Sequence, residues 1–268
     1  MNSARVFVAA IVAFGMYAAC LGQYVPEKHR LTPEQARERR AKMNMKRFGG
    51  MIRKPGSAHG KVVFLNAQRT VSRADVKPAL DVIEERIHPI LEWKESDGPV
   101  KAHNPTDALK SAGADIGVVL VEDADSAGLI TAPECGWAVV NVAALGDADC
   151  PRERLAHRVR IEALRAFALV GGAAFMQRDQ IVMRPDIMVA KDLDMIKEEN
   201  YGIDVAYAIS GGLPRRGVTP WLETTYKKAC EEGWAPEPTN DVQRAIWEKV
   251  RAVPDKPITI EFDPKAGK

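Results

Sequence analysis

The amino-acid sequence predicts an α/β protein in which a sheet packs on helices. Two apolar runs of strand length, Ile116–Val121 and Trp137–Val142, indicate buried strands. Segments with apolar residues at helical spacing alternate with such runs, as in a sheet covered by helices. Of the 268 residues 46% are hydrophobic and 28% charged. This balance excludes a disordered tail, a collagen-like repeat, a cystine-dense miniprotein and a polytopic membrane protein.

Residues 1–22 predict a secretory signal peptide. They carry one charge, Arg5, followed by an apolar run of about 16 residues, shorter than the ~20 residues that span a membrane. We expect cleavage after Ala19 or Gly22 and a secreted or periplasmic protein without a membrane span. Two alternatives stay open: a lipidated Cys20 on an envelope protein, and an uncleaved anchor helix.

Residues 23–60 predict a basic helical arm and linker. Between Glu27 and Lys54, ten Lys or Arg stand against three Glu. The sequence Thr32–Gln35 is typical of a capping box with proline at the first helical position, and Gly49-Gly50 is expected to end the helix. We interpret the arm as a solvated helix and predict no nucleic-acid partner, because an exported protein seldom meets nucleic acid.

The α/β domain is predicted over residues 61–200. Val62–Leu65 has the length of a strand. A helix is expected to begin after Ser72 and to end at His88-Pro89, and a strand follows around Ile90–Trp93. The apolar positions of that helix repeat at helical spacing: Val76, Leu80, Ile83 and Ile87.

A long helix is predicted over Arg152–Val170. It is polar at its start and apolar at its end, so its C-terminal half is expected inside the domain. Residues 201–268 predict a turn-rich, mainly helical extension that packs on the same domain. Short helices are expected to begin at Thr219-Pro220 and at Asn240, and a last edge strand is expected at Ile258–Phe262.

Common catalytic motifs are absent from the sequence. It has no Gly-x-Ser-x-Gly, no phosphate-binding glycine-rich loop and no Cys-x-x-Cys. The five histidines never stand three or four residues apart, so no preformed histidine-based zinc site and no cofactor are predicted.

The order of elements from Lys61 to Asp194 resembles the archaemetzincin branch of the metzincin metallopeptidases. The resemblance implies a metzincin-like mixed twisted sheet packed on helices, with a cleft for an extended polypeptide. The segments that carry it are Ile116–Asp125 (strand and Asp-rich turn), Gly128–Ile130 (edge strand), Gly136–Leu145 (next strand), Ile161–Gly171 (zinc helix) and Ile181–Met183 (Met-turn).

The zinc-ligand positions of that family are not kept here. In this register they hold Ile161, Arg165 and Gly171, and only the family's glutamate remains, as Glu162. Isoleucine and glycine have no donor atom, and a cationic arginine repels a divalent metal. The resemblance therefore implies a degenerate domain without a metal.

Glu162 is the candidate catalytic residue, with Asp123 and Asp125 as partners from the turn after a strand. The family glutamate is a general base, so any hydrolysis is expected to be metal-independent and carboxylate-based. Arg165 stands three residues after Glu162. An ion pair between them is the structural alternative, and we expect it to lower the pKa of Glu162. Further Asp pairs rim the same cleft in a metzincin-like fold: Asp147, Asp149, Asp192 and Asp194.

Arg165 and three tryptophans, Trp137, Trp221 and Trp234, are candidates for substrate binding. Aromatic rings are dense in the segment from Trp221 to Trp247, where they indicate either a binding surface or the cover of a core. Cys135 and Cys150 bracket a predicted strand. In an oxidising compartment they are a candidate disulfide, and free cysteines are the alternative.

The sequence thus leaves two functions open. The first is a secreted, peptidase-related protein that acts on or binds an extracellular polypeptide or glycoprotein. The second is an inert pseudopeptidase that serves as a binding, adhesion or envelope assembly module. Whether the protein is an enzyme, and its oligomeric state, are not decided at this stage.

Overall fold

The computed structural model describes residues 33–147, 149–176 and 182–252, which form two compact units. The larger unit comprises residues 52–224. The smaller unit comprises residues 33–51 and 225–252. The signal region 1–22 and the strand expected at Ile258–Phe262 lie outside the described residues. Among the described helices, none has the length and apolar character needed to cross a membrane.

Helices and strands alternate through most of the larger unit. In the two units together, the helices are α1 (Pro33–Phe48), α2 (Arg73–Ile87), α3 (Thr106–Ser111), α4 (Arg152–Val170), α5 (Ile203–Gly212), α6 (Tyr226–Glu231) and α7 (Asp241–Arg251). The strands are β1 (Met51–Arg53), β2 (Lys61–Ala67), β3 (Ile90–Ser96), β4 (Ile116–Val121), β5 (Leu129–Ala132), β6 (Trp137–Asn141) and β7 (Glu223–Thr225). Short 3-10 helices cover Pro133–Cys135, Ala143–Leu145, Ala190–Met195 and Leu213–Arg216.

The main sheet has five strands in the order β3-β2-β4-β6-β5. The first four are parallel to one another, and β5 runs antiparallel to β6. Strands β1 and β7 form a separate two-stranded sheet. The mixed five-stranded sheet packed on helices confirms the predicted fold class.

The two faces of the sheet bury different residues. Val62 and Phe64 belong to the core on the side of α2, α4 and α5. Their neighbours Val63 and Leu65 belong to a second core with Leu109 of α3. Successive side chains of a strand point to opposite faces, so a strand covered on both sides is apolar throughout. This explains the continuous apolar run of β2.

Helix α2 begins and ends as the sequence predicts. The side chain of Ser72 accepts a hydrogen bond from the backbone N–H of Ala74 at 3.2 Å. The helix ends at His88, whose φ of 58° turns the chain out of the helix. The predicted bounds of α4, Arg152 and Val170, are also confirmed.

The helix predicted at Thr219-Pro220 is wrong. Thr219 is extended and exchanges two backbone hydrogen bonds with His59, at 2.8 and 3.1 Å. The next helix is α6, which begins after Thr225, the residue whose side chain caps it. A Thr-Pro pair satisfies the helix-start pattern equally well when tertiary pairing holds the chain extended, so the local signal misleads here.

The smaller unit contains α1, α6 and α7. Its centre includes Tyr226, which is fully buried and stacks on Trp247 with ring centroids 6.5 Å apart. The side chain of Gln243 donates a hydrogen bond to the carbonyl oxygen of Gly49 at 2.9 Å. Asn240 caps α7 as predicted, because its side chain accepts from the N–H of Gln243 at 3.0 Å. These two aromatic rings therefore cover the core of the unit.

Candidate functional site

The candidate site lies on α4, the longest helix of the larger unit. The first turn of α4 is exposed, and every residue from Ile161 to Ala168 is buried. A charged residue is buried in such a helix only where a partner compensates the cost of removing its charge from water. Glu162 and Arg165 are the two charged residues in this buried stretch.

Glu162 and Arg165 form a buried ion pair. The Nε of Arg165 donates to Oε2 of Glu162 at 3.1 Å, and each residue is 4% exposed. The ion pair expected at this spacing is therefore present. The pair is nearly closed to solvent, whereas an ion pair between residues i and i+3 on a helix surface is usually exposed to water.

The pKa of Glu162 is raised, so the expectation that Arg165 lowers it was wrong. Burial raises the pKa by disfavouring the charged carboxylate, and this outweighs the lowering by the charge and the hydrogen bond of Arg165. The sequence showed the neighbouring arginine but not the depth of burial. The sign of the shift was set by that depth.

Arg165 also bonds to the chain segment in which the Met-turn was expected. Its Nη1 donates to the carbonyl oxygens of Val182 at 3.1 Å and Arg184 at 2.8 Å. Its guanidinium lies over the ring of Phe175, 5.0 Å from the centroid. One side chain thus links Glu162 to segments on both sides of residues 177–181. Ile181 of the predicted Met-turn lies outside the described residues.

The residues at the three zinc-ligand positions do not fit a zinc ion. Ile161 is fully buried and has no donor atom. Arg165 is a cation bound to Glu162. A Cβ added to Gly171 would stand 2.8 Å from Cγ2 of Ile209, so the fold leaves no room there for a histidine. Within the described ranges no group of three or more His, Cys, Asp or Glu is placed to hold a metal ion.

Asp123 and Asp125 shape the turn between β4 and β5. Asp123 accepts hydrogen bonds from Oγ of Ser126 at 2.7 Å and from the N–H of Asp125 at 3.1 Å. These bonds lower the pKa of Asp123, the hydroxyl of Ser126 most of all. Asp125 is exposed. Within the described part of the chain, no hydrogen bond or ion pair joins either residue to Glu162.

Asn141 organises the same turn and was not singled out by sequence reasoning. It is fully buried at the end of β6. Its side-chain amide donates to the carbonyl oxygens of Asp123 at 2.6 Å and Ser126 at 2.7 Å, and its oxygen accepts from the N–H of Asp123 at 3.0 Å. The signal in the sequence that could have identified Asn141 is its position as a polar residue at the end of an apolar strand.

Three of the other aspartates, Asp147, Asp192 and Asp194, contact an arginine or backbone N–H groups, and Asp149 is exposed. Arg158 is fully buried, and its guanidinium makes a two-point contact with Asp194 at 2.8 and 2.7 Å. Arg158 also lies 3.4 Å from Asp147. Asp192 accepts from the backbone N–H groups of Met188 and Val189. Arg158 was missed because, in an Arg-rich helix, the sequence does not show which arginine points inward.

Of the tryptophans predicted to bind substrate, Trp137 lies away from Glu162, on the other face of the sheet. Trp137 is 8% exposed and packs in the core of the opposite sheet face, with Leu109 and Val139. Trp221 is half-buried in the larger unit, and its backbone N–H donates to the carbonyl oxygen of His88 at 2.7 Å. Trp234 belongs to the smaller unit.

The cysteines of the described region are free, so the predicted Cys135–Cys150 disulfide is not present. Cys135 is exposed, and Cys150 and Cys230 are half-buried. Cys135 precedes β6 and Cys150 follows it. Bracketing a strand does not by itself bring two cysteines within the ~7 Å between Cα atoms that a disulfide needs.

A cavity of about 260 Å³ opens at the carboxyl ends of β2 and β6. Its lining includes Ser72 and Asp75 near the start of α2, Val142 after β6, and Arg152 of α4. Arg152 donates to Asp75 at 3.1 Å. None of the predicted catalytic residues lines this cavity, so it adds nothing to the Glu162 site.

Solved structures similar to this chain include one of an archaemetzincin and one of a zinc-dependent peptidase. One is archaemetzincin from Methanopyrus kandleri, with 18% identity over 60% of this chain and 98% of that chain, and a TM-score of 0.48. The other is a zinc-dependent peptidase from Methanocorpusculum labreanum, with 11% identity over 55% of this chain and 99% of that chain, and a TM-score of 0.42. No protein-family model and no curated protein matches the sequence. At this level of identity no catalytic residue, ligand or activity is carried over from these structures.

Proposed function

We propose that the protein is a non-hydrolytic binding protein that holds an extended extracellular polypeptide against the edge strand β5. The observation that carries the proposal is the buried Glu162–Arg165 pair. The Nε of Arg165 is bonded to Oε2 of Glu162 at 3.1 Å, and Glu162 is 4% exposed. The polypeptide cleft is a feature implied by the metzincin resemblance, and its catalytic centre is filled by protein atoms.

A buried, paired glutamate is a poor general base. A base must lie within hydrogen-bond reach of the water it deprotonates, and Glu162 is 4% exposed with Arg165 bound to it. Arginine stays protonated, so it cannot accept the proton in place of Glu162. Within the described residues, Glu162 makes no hydrogen bond with a second carboxyl group that would act as the acid.

Strand β5 offers backbone groups for binding. It is the last strand of the sheet order and pairs with β6 on one side only, within the described residues. The N–H of Asn141 donates to the carbonyl oxygen of Gly128 at 2.9 Å, so Gly128 and Asn141 are a hydrogen-bonded pair. Antiparallel pairs alternate between hydrogen-bonded and non-hydrogen-bonded positions. The N–H and C=O groups of Leu129 and Thr131 therefore face the outer edge.

Those groups suit the addition of a strand. An extended segment that pairs with a sheet edge gains main-chain hydrogen bonds, and side-chain contacts then give selectivity. Neither Leu129 nor Thr131 makes another backbone hydrogen bond within the part of the chain that the structure describes. We therefore expect about two residues of the ligand to bond directly to β5.

The binding test uses the outward N–H of Thr131. Thr131→Pro removes that donor without breaking the β5–β6 ladder, and Thr131→Ala is the matched control that keeps it. With a mixture of randomised ten-residue peptides as the probe, we expect the mature protein and Thr131→Ala to retain peptides and Thr131→Pro to lose at least ten-fold in retention. Leu129→Pro removes the other outward N–H and serves as the second variant.

Retention that neither proline variant reduces would refute strand addition at β5. Hydrolysis is tested separately by mass spectrometry of the same peptides and of an unfolded glycoprotein, with chelator and with added zinc. We expect no cleavage products under either condition. Cleavage that Glu162→Gln abolishes would overturn the proposal in favour of a carboxylate hydrolase, and cleavage that needs zinc would overturn the ligand argument.

A further inference from the structure

A second cavity, of about 520 Å³, lies at the C-terminal end of α5. Its volume is within the range of ligand-binding clefts. We call it the arginine pocket. It is lined by Gly172, Tyr207, Ala208, Gly211, Gly212, Arg215 and Arg216, all in the larger unit.

Glycines let the helix ends approach closely and leave the pocket open. A Cβ on Gly212 would lie 2.0 Å from the carbonyl oxygen of Gly171, so the backbone after α4 and the end of α5 are in direct contact. A Cβ on Gly211 would meet no atom within 4 Å. The pocket wall is therefore largely backbone, and the long side chains that reach into it come from Tyr207 and the two arginines.

The lining is cationic. Two arginines and one tyrosine are its ionisable residues, and no acidic residue lines it. Nη1 of Arg216 donates to the carbonyl oxygen of Pro133. Arg215 is exposed and makes no hydrogen bond or ion pair within the described part of the chain. Tyr207 is 72% exposed. The pocket thus offers guanidinium and hydroxyl donors and no competing carboxylate.

The bond to Pro133 connects the pocket to the edge strand. Pro133 directly follows Ala132, the last residue of β5. An extended chain advances about 3.3 Å per residue, so one or two residues beyond the segment paired with β5 reach Arg216. Guanidinium groups bind carboxylates with two parallel hydrogen bonds.

We infer that the arginine pocket binds a Glu or Asp side chain of the polypeptide that pairs with β5. This inference rests on the proposed function and specifies its ligand: an extended segment with an acidic residue just outside the paired part. Arg215 supplies the uncommitted guanidinium, and Arg216 positions the pocket beside β5. The affinity is expected to fall as salt rises, because the arginine is exposed.

The first arm of the test measures peptides. Among the randomised peptides retained by the wild-type protein, we expect enrichment of Glu or Asp at one end. Replacing that residue by Gln or Asn is expected to weaken binding at least ten-fold to the wild type and less than two-fold to Arg215→Gln. Lys191→Gln is the control, since Lys191 is an exposed cation of the same unit that does not line the pocket.

The second arm needs no peptide. Sodium glutarate and, separately, inorganic phosphate are titrated into the protein while the amide resonances of Gly172 and Gly211 are followed by NMR. We expect glutarate to shift them and Arg215→Gln or Gly211→Leu to abolish the shift. Gly211→Leu fills the pocket without changing its charge.

The outcomes separate the two proposals. Peptides that depend on Thr131 but show no acidic preference would overturn the arginine pocket and leave strand addition intact. If no peptide is retained, the strand proposal fails and the glutarate titration alone decides: no shift at Gly172 and Gly211 overturns the pocket. A phosphate shift without a glutarate shift also overturns it. A loss of stability in Arg215→Gln with unchanged binding would assign the arginine to the helix dipole only.

Discussion

Replacing Arg165 by methionine tests the physical account of the candidate site. Methionine has a similar length and no charge, so the change leaves Glu162 in a buried position without its cation. It also leaves the carbonyl oxygens of Val182 and Arg184 without the donor that reaches them at 3.1 and 2.8 Å. We expect a large loss of stability and no new activity.

The magnitude follows from the burial of the pair. Removing one partner of a buried ion pair costs about 3–5 kcal/mol, because an uncompensated charge remains. Each carbonyl left without a donor adds on the order of 1 kcal/mol, although these costs are not additive. A domain is stable by about 5–15 kcal/mol, so Arg165→Met is expected to remove a large part of the free energy of unfolding. The double variant Glu162→Leu with Arg165→Met has no buried charge and is expected to be more stable than Arg165→Met alone.

The pH dependence has a definite sign. Burial raises the pKa of Glu162, and without Arg165 both causes that lower it, the charge and the hydrogen bond of the guanidinium, are gone. A carboxyl whose folded pKa lies above its unfolded value stabilises the fold fully below the unfolded pKa, and this stability is lost as pH rises through the folded pKa. Arg165→Met is therefore expected to be most destabilised at neutral pH and to recover part of the loss as pH falls toward about 4–5.

The assay is urea unfolding followed by circular dichroism at pH 7.5 and pH 5.0. It compares the wild type, Arg165→Met, Arg165→Lys and the double variant. Arg165→Lys keeps the charge but not the planar fork, so we expect it to lie between the wild type and Arg165→Met. If Arg165→Met unfolds at the wild-type urea concentration, or if its deficit is the same at both pH values, the reasoning from burial is refuted.

Three further predictions concern the surroundings of the site. Gly211→Ala is expected to stabilise by about 0.5–1 kcal/mol, because alanine favours the helix and has room. At the neighbouring position, Gly212→Ala is expected to destabilise the fold by about 1–3 kcal/mol, because the added Cβ would lie 2.0 Å from the carbonyl oxygen of Gly171. Thermal unfolding compares the two variants, and equal effects would contradict the close approach of the backbone at Gly212. Asn141→Ala is expected to cost about 2–3 kcal/mol, since it removes the buried hydrogen bonds that shape the turn after β4; wild-type stability in urea would show that the turn holds without them. The pKa of His157 is raised, first because its Nδ1 is hydrogen-bonded to Glu199 at 2.8 Å. The stabilisation from this pair is present below about pH 6.5 and is lost as pH rises through the higher folded pKa. His157→Gln is therefore expected to lose more stability at pH 6 than at pH 9, and a pH-independent difference would count against the pair.

Local sequence signals were sufficient for most elements of the sheet and its main helices. The apolar runs at residues 62–65 and 116–121 predicted β2 and β4, and Ser72 and His88 predicted the two ends of α2. Such signals act over a few residues, and here the core agrees with them. At Thr219 the same kind of signal failed, because pairing with His59 outweighs a local helix start.

The site was only partly accessible from sequence. The spacing of Glu162 and Arg165 predicted their ion pair, and the donor chemistry of Ile161, Arg165 and Gly171 argued against a zinc site. Asn141 and Arg158 were missed, because a polar residue in an apolar run reveals neither its burial nor its partners. The edge strand β5 was predicted from the resemblance, whereas the outward groups of Leu129 and Thr131 depend on the register with β6.

By itself, the sequence determined which chemistry the α4 positions can offer and where most strands and helices of the larger unit begin, because side-chain type and short-range periodicity are properties of the chain. Only the tertiary structure decided how far Glu162 is buried, that Cys135 and Cys150 are free thiols, and that Arg216 bonds to Pro133 just after β5. These facts depend on groups far apart in the chain. Folding decides which distant atoms surround a group. Those atoms set the sign of a pKa shift, whether two cysteines can form a disulfide, and the charge of a pocket.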